Sequence, residues 1–348
     1  MKVAFLISHP SDNIGGEVRE LGLASMLRRC GIDAQVFRMT RAPNGVQDHP
    51  FGAPILFFKA DDPELEDHAL SSQKLLASIK YFAPEVVAIK GFGYIMNKMV
   101  VEAVRSELPQ SSFIAILGGR WRDDSMKSCS AVFYEFAEQR SLFASFTTQA
   151  THHAVLPKYI NWLHLNSRSS TFVTRDIDLV AIGELIERKK LDLLAQVPSH
   201  ISVSIVGDGP LRTRLHDLFS QKHNITLAGA IPNEQVLDLL HRTRILLHCA
   251  DDEGLPRVFG EALACGTPII CSDRLHCPKD FPGECVLQVP SNRLVNAAVD
   301  KLEDNHWMQQ AQVRGRSYMR EHNSFYKLFV LFCKGLKHLC PAVGSLLP

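Results

Sequence analysis

The sequence lacks any apolar run approaching the roughly 20 residues that a membrane-spanning helix needs. Its first ten residues contain one basic side chain and a short apolar run that breaks at Pro10 without a small-residue cleavage site. That pattern indicates a strand and not a signal peptide. The chain also has almost no net charge: 38 Lys and Arg residues and 37 Asp and Glu residues give a formal charge of +1. With no global field suited to nucleic acid, we expect a soluble, cytoplasmic protein without a nucleic-acid partner.

The nine cysteines lack C-x-x-C pairs and regular spacing. Several of them lie in apolar stretches, namely Cys30, Cys265, Cys271 and Cys333. Buried, reduced thiols account for this distribution better than a disulfide framework or a zinc site. The sequence has no fixed-period repeat. It has 348 residues, of which 46% are hydrophobic, enough for roughly two domains with their own cores.

Strands alternate with helices through most of the sequence, which predicts parallel sheets wrapped by helices. The alternation fills residues 1–155, loses its period in a Ser-, Asn- and Thr-rich linker at 156–177, and restarts at 178–323. We therefore expect an α/β protein with two doubly wound, Rossmann-like domains. The predicted strands are 3–7, 34–38, 55–59, 86–90, 113–117, 179–182, 203–206, 225–227, 245–248, 269–271 and 286–289. The predicted helices include 73–82, 97–107, 190–196 and 211–219.

The C-terminal segment 324–348 carries an amphipathic helix with an aromatic face. We expect this helix to pack back toward the N-terminal domain. The alternative is a weak peripheral membrane contact that would also use the lysines of the segment, Lys327, Lys334 and Lys337.

An acidic segment between residues 249 and 268 is the most informative part of the sequence. Pro256 suits the first position of a helix. Gly266 suits the left-handed position just past its end, so the pattern predicts a short helix at 256–265. Glu253 lies in the loop before this helix and Glu261 lies inside it. Both carboxylates are expected to face one crevice at the carboxyl end of the preceding strand, where open α/β sheets bind ligands.

Such an arrangement can hold an activated sugar. Carboxylates fix sugar and ribose hydroxyls through charge-assisted hydrogen bonds. The N–H groups of Gly254 and Leu255, with the positive end of the helix, can stabilise a departing diphosphate. Glycosyl transfer passes through an oxocarbenium-like state while that diphosphate leaves. No divalent metal is then obligatory.

The segment Glu253-x(7)-Glu261, followed by Ala-Leu-Ala-Cys-Gly-Thr-Pro, resembles the donor motif of retaining GT-B-fold glycosyltransferases of family 4, the glycosyl transferases group 1. Other motifs agree in order along the chain. They are Gly15-Gly16-Glu17, Pro84-Glu85-Val86-Val87, Gly183-x-Leu185 with Lys189, and Gly207-Asp208-Gly209-Pro210. The resemblance is strong over residues 179–273 and weak before residue 155.

The resemblance implies a GT-B fold, in which the two domains face each other across a cleft and the second binds the donor. It implies retaining transfer of a hexose from a nucleoside-diphosphate sugar, of the uridine diphosphate class, without a separate cofactor. The acceptor, whether a sugar, a lipid-linked molecule or another small molecule, is not identified. The irregular segments 41–75 and 118–152 are expected to shape its site.

By the resemblance, Glu253 contacts the donor sugar and Glu261 the ribose. Lys189 would bind the diphosphate, although the run of cations around it would also suit a solvated surface. The glycines Gly15 and Gly16 would let the backbone approach the phosphates. Gly209 would lie in the donor site, although a Gly-Asp-Gly-Pro segment also suits a plain strand-to-helix turn.

Two positions depart from the family pattern. Glu184 stands where the family usually has a phosphate-binding Arg, and Arg188, Lys190 or Arg257 could supply the missing cation. For Arg257, an ion pair with Asp251 or Asp252 is the equal alternative. The segment Gly118-Gly119-Arg120 stands where the family commonly has a His beside the reacting sugar. Either Arg120 or a residue from another loop takes its place, or catalysis is impaired.

Two other functions are compatible with this sequence. One keeps the fold and changes the reaction to nucleotide-sugar epimerisation or hydrolysis. The other is a catalytically lapsed GT-B protein that acts as a binding partner, which the two departures favour.

Overall fold

A computed structural model describes residues 1–10, 19–48, 52–119, 121–158, 160, 162–167 and 174–341. The chain forms two compact units. Unit 1 consists of Met1–Tyr159 together with Phe325–Pro348, and unit 2 consists of Ile160–Ser324. No helix within the described ranges is both long enough and apolar enough to cross a membrane.

Unit 1 contains an eight-stranded sheet in the order β3-β4-β2-β1-β5-β6-β7-β8. The strands are β1 (Lys2–Ile7), β2 (Asp33–Thr40), β3 (Gly45–Asp48), β4 (Pro54–Lys59), β5 (Val86–Lys90), β6 (Ser112–Ile116), β7 (Ala131–Tyr134) and β8 (His152–Val155). All neighbours pair in parallel except β3, which is antiparallel to β4 at the edge. The strand order reverses direction between β1 and β5, so the topological switch point of unit 1 lies between these two strands.

Unit 2 contains a six-stranded, all-parallel sheet in the order β11-β10-β9-β12-β13-β14. Its strands are β9 (Ile177–Ile182), β10 (Val203–Val206), β11 (Ile225–Gly229), β12 (Thr243–His248), β13 (Ile269–Ser272) and β14 (Val286–Val289). Here the order reverses between β9 and β12. The loops that leave the carboxyl ends of these two strands therefore flank the switch point of unit 2.

Helices connect the strands. In chain order they are α1 (Arg19–Arg29), α2 (Gln73–Phe82), α3 (Ile95–Glu107), α4 (Gln139–Leu142), α5 (Trp162–Ser167), α6 (Arg212–Phe219), α7 (Asn233–Arg242), α8 (Arg257–Cys265), α9 (Leu294–Leu302), α10 (Asn305–His322) and α11 (Phe325–Leu339). Parallel strands need such crossovers, and the helices cover faces that would otherwise expose apolar side chains.

The core of unit 1 has two layers, one on each face of its sheet. On one face, α1 and α11 bury side chains against the strands, and Phe332 of α11 lies 5.5 Å from Phe5 and 5.4 Å from Phe133 between ring centroids. On the other face, α2 and α3 cover strand residues such as Leu6 and Phe37. The C-terminal helix therefore belongs to the core of unit 1, although it is separated from the rest of that unit in sequence.

Two local predictions need correction. Pro256 was placed at the first helical position, but its ψ of 134° is extended, so it caps α8 and the helix begins at Arg257. The second prediction is a helix over residues 190–196 that begins at Lys190. Lys190 instead has a left-handed backbone with φ of 48°, and a 3-10 helix follows over Leu191–Gln196.

Candidate active site

The loop after β9 places Lys189 over the carboxyl edge of the unit 2 sheet. A short 3-10 turn, Glu187–Lys189, ends at the left-handed Lys190 and turns the lysine back toward the strand. A Cβ atom added to Gly183 would lie 3.1 Å from Lys189 Nζ. The absence of a side chain at Gly183 therefore gives the ammonium group its place beside the switch point.

Glu253 lies in the loop after β12 and meets this lysine. Lys189 Nζ donates to both carboxylate oxygens of Glu253, at 2.7 Å each. His248, the last residue of β12, lies with its Nε2 2.9 Å from Glu253 Oε2. Arg188 approaches Oε1 at 3.4 Å. Lys189 is only 8% exposed, so the prediction of a solvated surface is wrong for this residue.

The charge states of the cluster follow from these contacts. Burial would raise the pKa of Glu253, but hydrogen bonds from His248 and Lys189 lower that pKa to about 2. Burial lowers the pKa of His248 from its usual range, so its imidazole is neutral at neutral pH. A neutral imidazole that faces a carboxylate through Nε2 carries its proton there and donates it. Glu253 is therefore an ionised acceptor with two separate donors.

The second acid of the motif, Glu261, lies in the second turn of α8 and is 4% exposed. Asn233 Nδ2, at the start of α7, donates to Glu261 Oε1 at 2.8 Å. Arg257 Nε lies 3.0 Å from the same oxygen. Arg257 thus pairs with the acid four residues further along its own helix, a partner that neither sequence alternative named.

A third acid, Asp251, holds Lys190. Its carboxylate accepts hydrogen bonds from Lys190 and from Ser291, and Arg274 approaches it at 3.9 Å. Burial would raise the pKa of Asp251, but the bonds from Lys190 and Ser291 lower it to about 2. Lys190 is therefore paired with the ionised carboxylate of Asp251 and not with Glu253.

The turn after β10 contains glycines because it packs closely against the loop after β9. A Cβ atom at Gly207 would lie 1.8 Å from the carbonyl oxygen of Gly183, and one at Gly209 would lie 2.7 Å from that of Leu185. The Gly209 N–H donates to Asp208 Oδ1 at 2.8 Å. Gly209 therefore lets two loops touch, and its contact with a donor stays a prediction.

The amino end of α8 follows Glu253 directly. Gly254 and the buried Leu255 connect the two, and Pro256 caps the helix without a side-chain hydrogen bond. The positive end of the helix dipole therefore lies close to Glu253 in sequence and is not neutralised by a capping carboxylate.

Several predicted residues cannot be placed. Gly15, Gly16 and Arg120 lie outside the described residues. Two further residues of the site escaped sequence reasoning, His248 and Asn233. A signal existed for His248, because a polar residue that ends a buried strand lies at the carboxyl edge where ligands bind.

Comparison with known families identifies the region that contains this cluster. Residues 165–312 match the model of the family described as glycosyl transferases group 1. This stretch contains Lys189, Glu253 and Glu261, in the arrangement just described.

Two curated relatives align with about a third of the chain. A Bacillus subtilis (strain 168) protein, TuaC, assigned as a teichuronic acid biosynthesis glycosyltransferase, is 35% identical over 111 residues, or 32% of this chain. The phosphatidylinositol N-acetylglucosaminyltransferase GPI3 subunit of Saccharomyces cerevisiae is 29% identical over 118 residues, or 31% of this chain. The chain spans about a quarter of the length of these relatives, 26% in each case.

Solved structures resemble nearly the whole chain. Sucrose-phosphate synthase from Thermosynechococcus elongatus has a TM-score of 0.75 at 16% identity, over 98% of this chain and 100% of that one. HepE from Anabaena, solved in complex with UDP, has a TM-score of 0.69 at 16% identity, over 97% of this chain and 100% of that one. The predicted GT-B fold class is thereby confirmed.

Proposed function

We propose that this protein is a glycosyltransferase that moves a hexose from a nucleoside-diphosphate sugar, of the uridine diphosphate class, onto an acceptor. Transfer would retain the anomeric configuration and require no metal ion. The observation that carries the proposal is the buried, ionised Glu253, which Lys189 and His248 fix at the switch point of unit 2. The match of residues 165–312 to the glycosyl transferases group 1 model and the similarity to HepE solved with UDP support the donor class.

The Lys189–Glu253 pair can serve the donor without being broken. An ammonium group has three donors, and Glu253 takes two of those of Lys189. The third is left for a phosphate oxygen. Glu253 is 18% exposed, so sugar hydroxyls can reach its oxygens. The pair would then hold sugar and diphosphate at a fixed distance from each other, which is the positioning that transfer requires.

A departing diphosphate needs positive charge, and Arg188 is our candidate for the cation that Glu184 does not supply. Lys190 is held by Asp251 and Arg257 by Glu261. Arg188 is about half exposed, and its ion pair within the described ranges is with Glu253, at 3.4 Å, whose oxygens already accept from Lys189.

The local balance of charge around Glu253 favours an anionic ligand. Arg188 and Lys189 bring two positive charges to the single negative charge of Glu253. A diphosphate would compensate the excess, and the positive end of α8 would add to the attraction. These groups would stabilise the charge that develops on the leaving oxygen as the bond to the sugar breaks, the largest single contribution in many enzymes.

Glu261 would bind the ribose. Its two contacts within the described part of the chain both use Oε1, which leaves Oε2 able to accept hydrogen bonds from the ribose hydroxyls. Asn233 and Arg257 keep the carboxylate in place. A fixed acceptor is better suited to recognising a diol than a mobile surface acid, because less side-chain entropy is lost on binding.

Donor binding and turnover by the purified protein test the proposal. UDP or one UDP-sugar should raise the melting temperature, and the sugar donor should be hydrolysed slowly without acceptor. Glu261→Ala should abolish the thermal shift, whereas Glu253→Ala should lose turnover more than nucleotide affinity. Glu284→Ala, at an exposed acid of the same unit, is the control and should behave like the wild type.

The outcomes separate the alternatives. Absence of any response to nucleotides contradicts the proposal. Nucleotide binding without turnover in the presence of acceptors identifies a lapsed enzyme. A sugar isomer or free sugar as the main product, with acceptors present, identifies an epimerase or a hydrolase.

A further inference from the structure

The loop after β5 lies at the switch point of unit 1 and has an unusual backbone. Gly91 and Gly93 have φ of 71° and 89°, in the left-handed region that favours glycine. Phe92 between them is 1% exposed and anchors the loop in the core. The loop is therefore a rigid backbone platform at the position where open α/β sheets bind ligands.

Two aromatic side chains lie on this platform. The Tyr94 ring comes within 3.7 Å of the position that a Cβ atom at Gly91 would take. Trp121, from the segment after β6, has its Cβ and Cε3 3.2 and 3.5 Å from the corresponding position at Gly93. Trp121 is nevertheless 72% exposed, so its indole rests on the loop and presents most of its surface to solvent.

Hydrogen bonds connect the platform to the segment that carries Trp121 and to the neighbouring elements of unit 1. The Gly93 N–H donates to Asp123 Oδ2 at 2.5 Å, which ties the loop to the segment that carries Trp121. On the other side, Asn97 Nδ2 donates to the Gly91 carbonyl at 2.9 Å, and Ser8 Oγ after β1 donates to Asn97 Oδ1 at 2.6 Å. A ligand that stacked on Trp121 would meet a surface already ordered, so that little conformational entropy would be lost.

The surroundings of the indole indicate what kind of ligand fits. Its neighbours in sequence, Arg122 and Asp124, are exposed, so the segment that carries the indole is polar and lacks the extended apolar patch that an acyl chain would need. A pyranose ring matches both features. Its C–H faces are apolar and weakly positive, as the negative face of an indole requires, and its hydroxyls suit the polar character of this segment.

We propose that Trp121, together with Tyr94, is the platform on which a pyranose ring of the acceptor stacks, so that the acceptor is a carbohydrate. The inference rests on the proposed function, because it assigns the unidentified acceptor of that reaction. A free oligosaccharide and the sugar headgroup of a glycolipid present the same ring. The experiment therefore has to separate these two sources.

Transfer kinetics with Trp121→Ala, Trp121→Phe and Tyr81→Ala provide the first test. Tyr81 is 93% exposed on α2 of the same unit. Tyr81→Ala therefore removes an exposed aromatic ring away from the platform and serves as the matched control. The acceptors are methyl pyranosides and disaccharides in solution, octyl glucoside in lipid vesicles, and glycerol and a serine peptide as sugar-free probes.

We expect Trp121→Ala to raise the acceptor KM about tenfold, with the donor KM and acceptor-independent hydrolysis unchanged. Trp121→Phe should recover most of the affinity and Tyr81→Ala should have no effect. Preference for soluble sugars or for octyl glucoside identifies the source. An acceptor KM that stays within twofold in Trp121→Ala, or a preference for glycerol or peptide, overturns the proposal.

A second test needs no donor and no turnover. The chain has three tryptophans, and the emission difference between wild type and Trp121→Phe reports on Trp121. Methyl pyranosides at millimolar concentration should shift this difference spectrum to shorter wavelength in a saturable way. A spectrum that does not change overturns the proposal, whereas absence of nucleotide binding with an intact shift contradicts only the proposed transferase activity.

Discussion

Lys189 Nζ lies 2.7 Å from both carboxylate oxygens of Glu253, although 64 residues separate the two in sequence. The lysine comes from the loop after β9 and the acid from the loop after β12, the two strands that flank the switch point of unit 2. Both residues are largely buried. Removing either partner would leave the other as a buried charge without compensation, which is costly.

Glu253→Gln tests the charge of this acid while keeping its shape. We expect turnover to fall by about a hundredfold or more, the scale seen when a group that stabilises the transition state is removed. Affinity for UDP should change less than about tenfold, because the phosphate-binding groups remain. Initial rates and calorimetric titration measure the two quantities. A loss of affinity without a fall in turnover at saturating donor would show that Glu253 acts on binding alone.

Arg188→Gln tests the cation that we assign to the diphosphate. The donor KM should rise about tenfold, equivalent to about 1.4 kcal/mol, since a charge-assisted contact is lost. Arg214→Gln is the matched control, because Arg214 pairs with the exposed Glu187 on the surface. It should leave the donor KM unchanged.

A second variant, Glu184→Arg, completes this experiment by placing a guanidinium group at position 184. Glu184→Arg should gain nothing in the wild type but should restore donor affinity in the Arg188→Gln background. Improvement of the wild type by Glu184→Arg, or absence of rescue in the double variant, would contradict the assignment of Arg188.

Acid should remove the stabilising contribution of Glu253. Its pKa is lowered from 4.5 to about 2 in the folded protein. The contribution is therefore complete above about pH 4.5 and is lost as the pH falls toward 2. Urea unfolding at several pH values should show the stability difference between wild type and Glu253→Gln shrinking between pH 5 and pH 3. A difference that is independent of pH in this window would contradict the ionised, hydrogen-bonded state of Glu253.

Gly207→Ala should destabilise the protein by at least about 2 kcal/mol. Its φ of 142° suits glycine, and an added Cβ atom would lie 1.8 Å from the Gly183 carbonyl oxygen. Gly283→Ala is the control, because a Cβ atom there meets nothing within 4 Å. Thermal or urea unfolding compares the two variants. Equal stability would show that the loops after β9 and β10 do not pack as closely as described.

The strands of both sheets could largely be predicted from the sequence, because buried parallel strands are apolar runs between turn residues. The prediction of β5 (Val86–Lys90) and β10 (Val203–Val206) agrees with the structure to the residue. The strands β3, β7 and β8, with four residues each, were missed. β3 and β8 are polar at two of their four positions, so they lack the apolar run that identified β10.

For the site, the identity of the functional residues could be predicted from the sequence better than the contacts between them. Glu253 and Lys189 were both named, but their contact with each other depends on two loops that only the folded sheet brings together. The partner of Arg257 is a different case. Glu261 lies four residues further along a predicted helix, and that spacing alone favours the ion pair.

The most direct test of the account is proton NMR of the purified protein with UDP-glucose in buffer containing EDTA. The α-linked donor should be consumed, and the released glucose should appear first as the α-anomer and only later as the β-anomer. Glu253→Gln should consume far less donor under the same conditions. Early release of the β-anomer would contradict retention, and absence of consumption by the wild type, together with absence of UDP binding, would contradict the assignment of this cluster as a donor site.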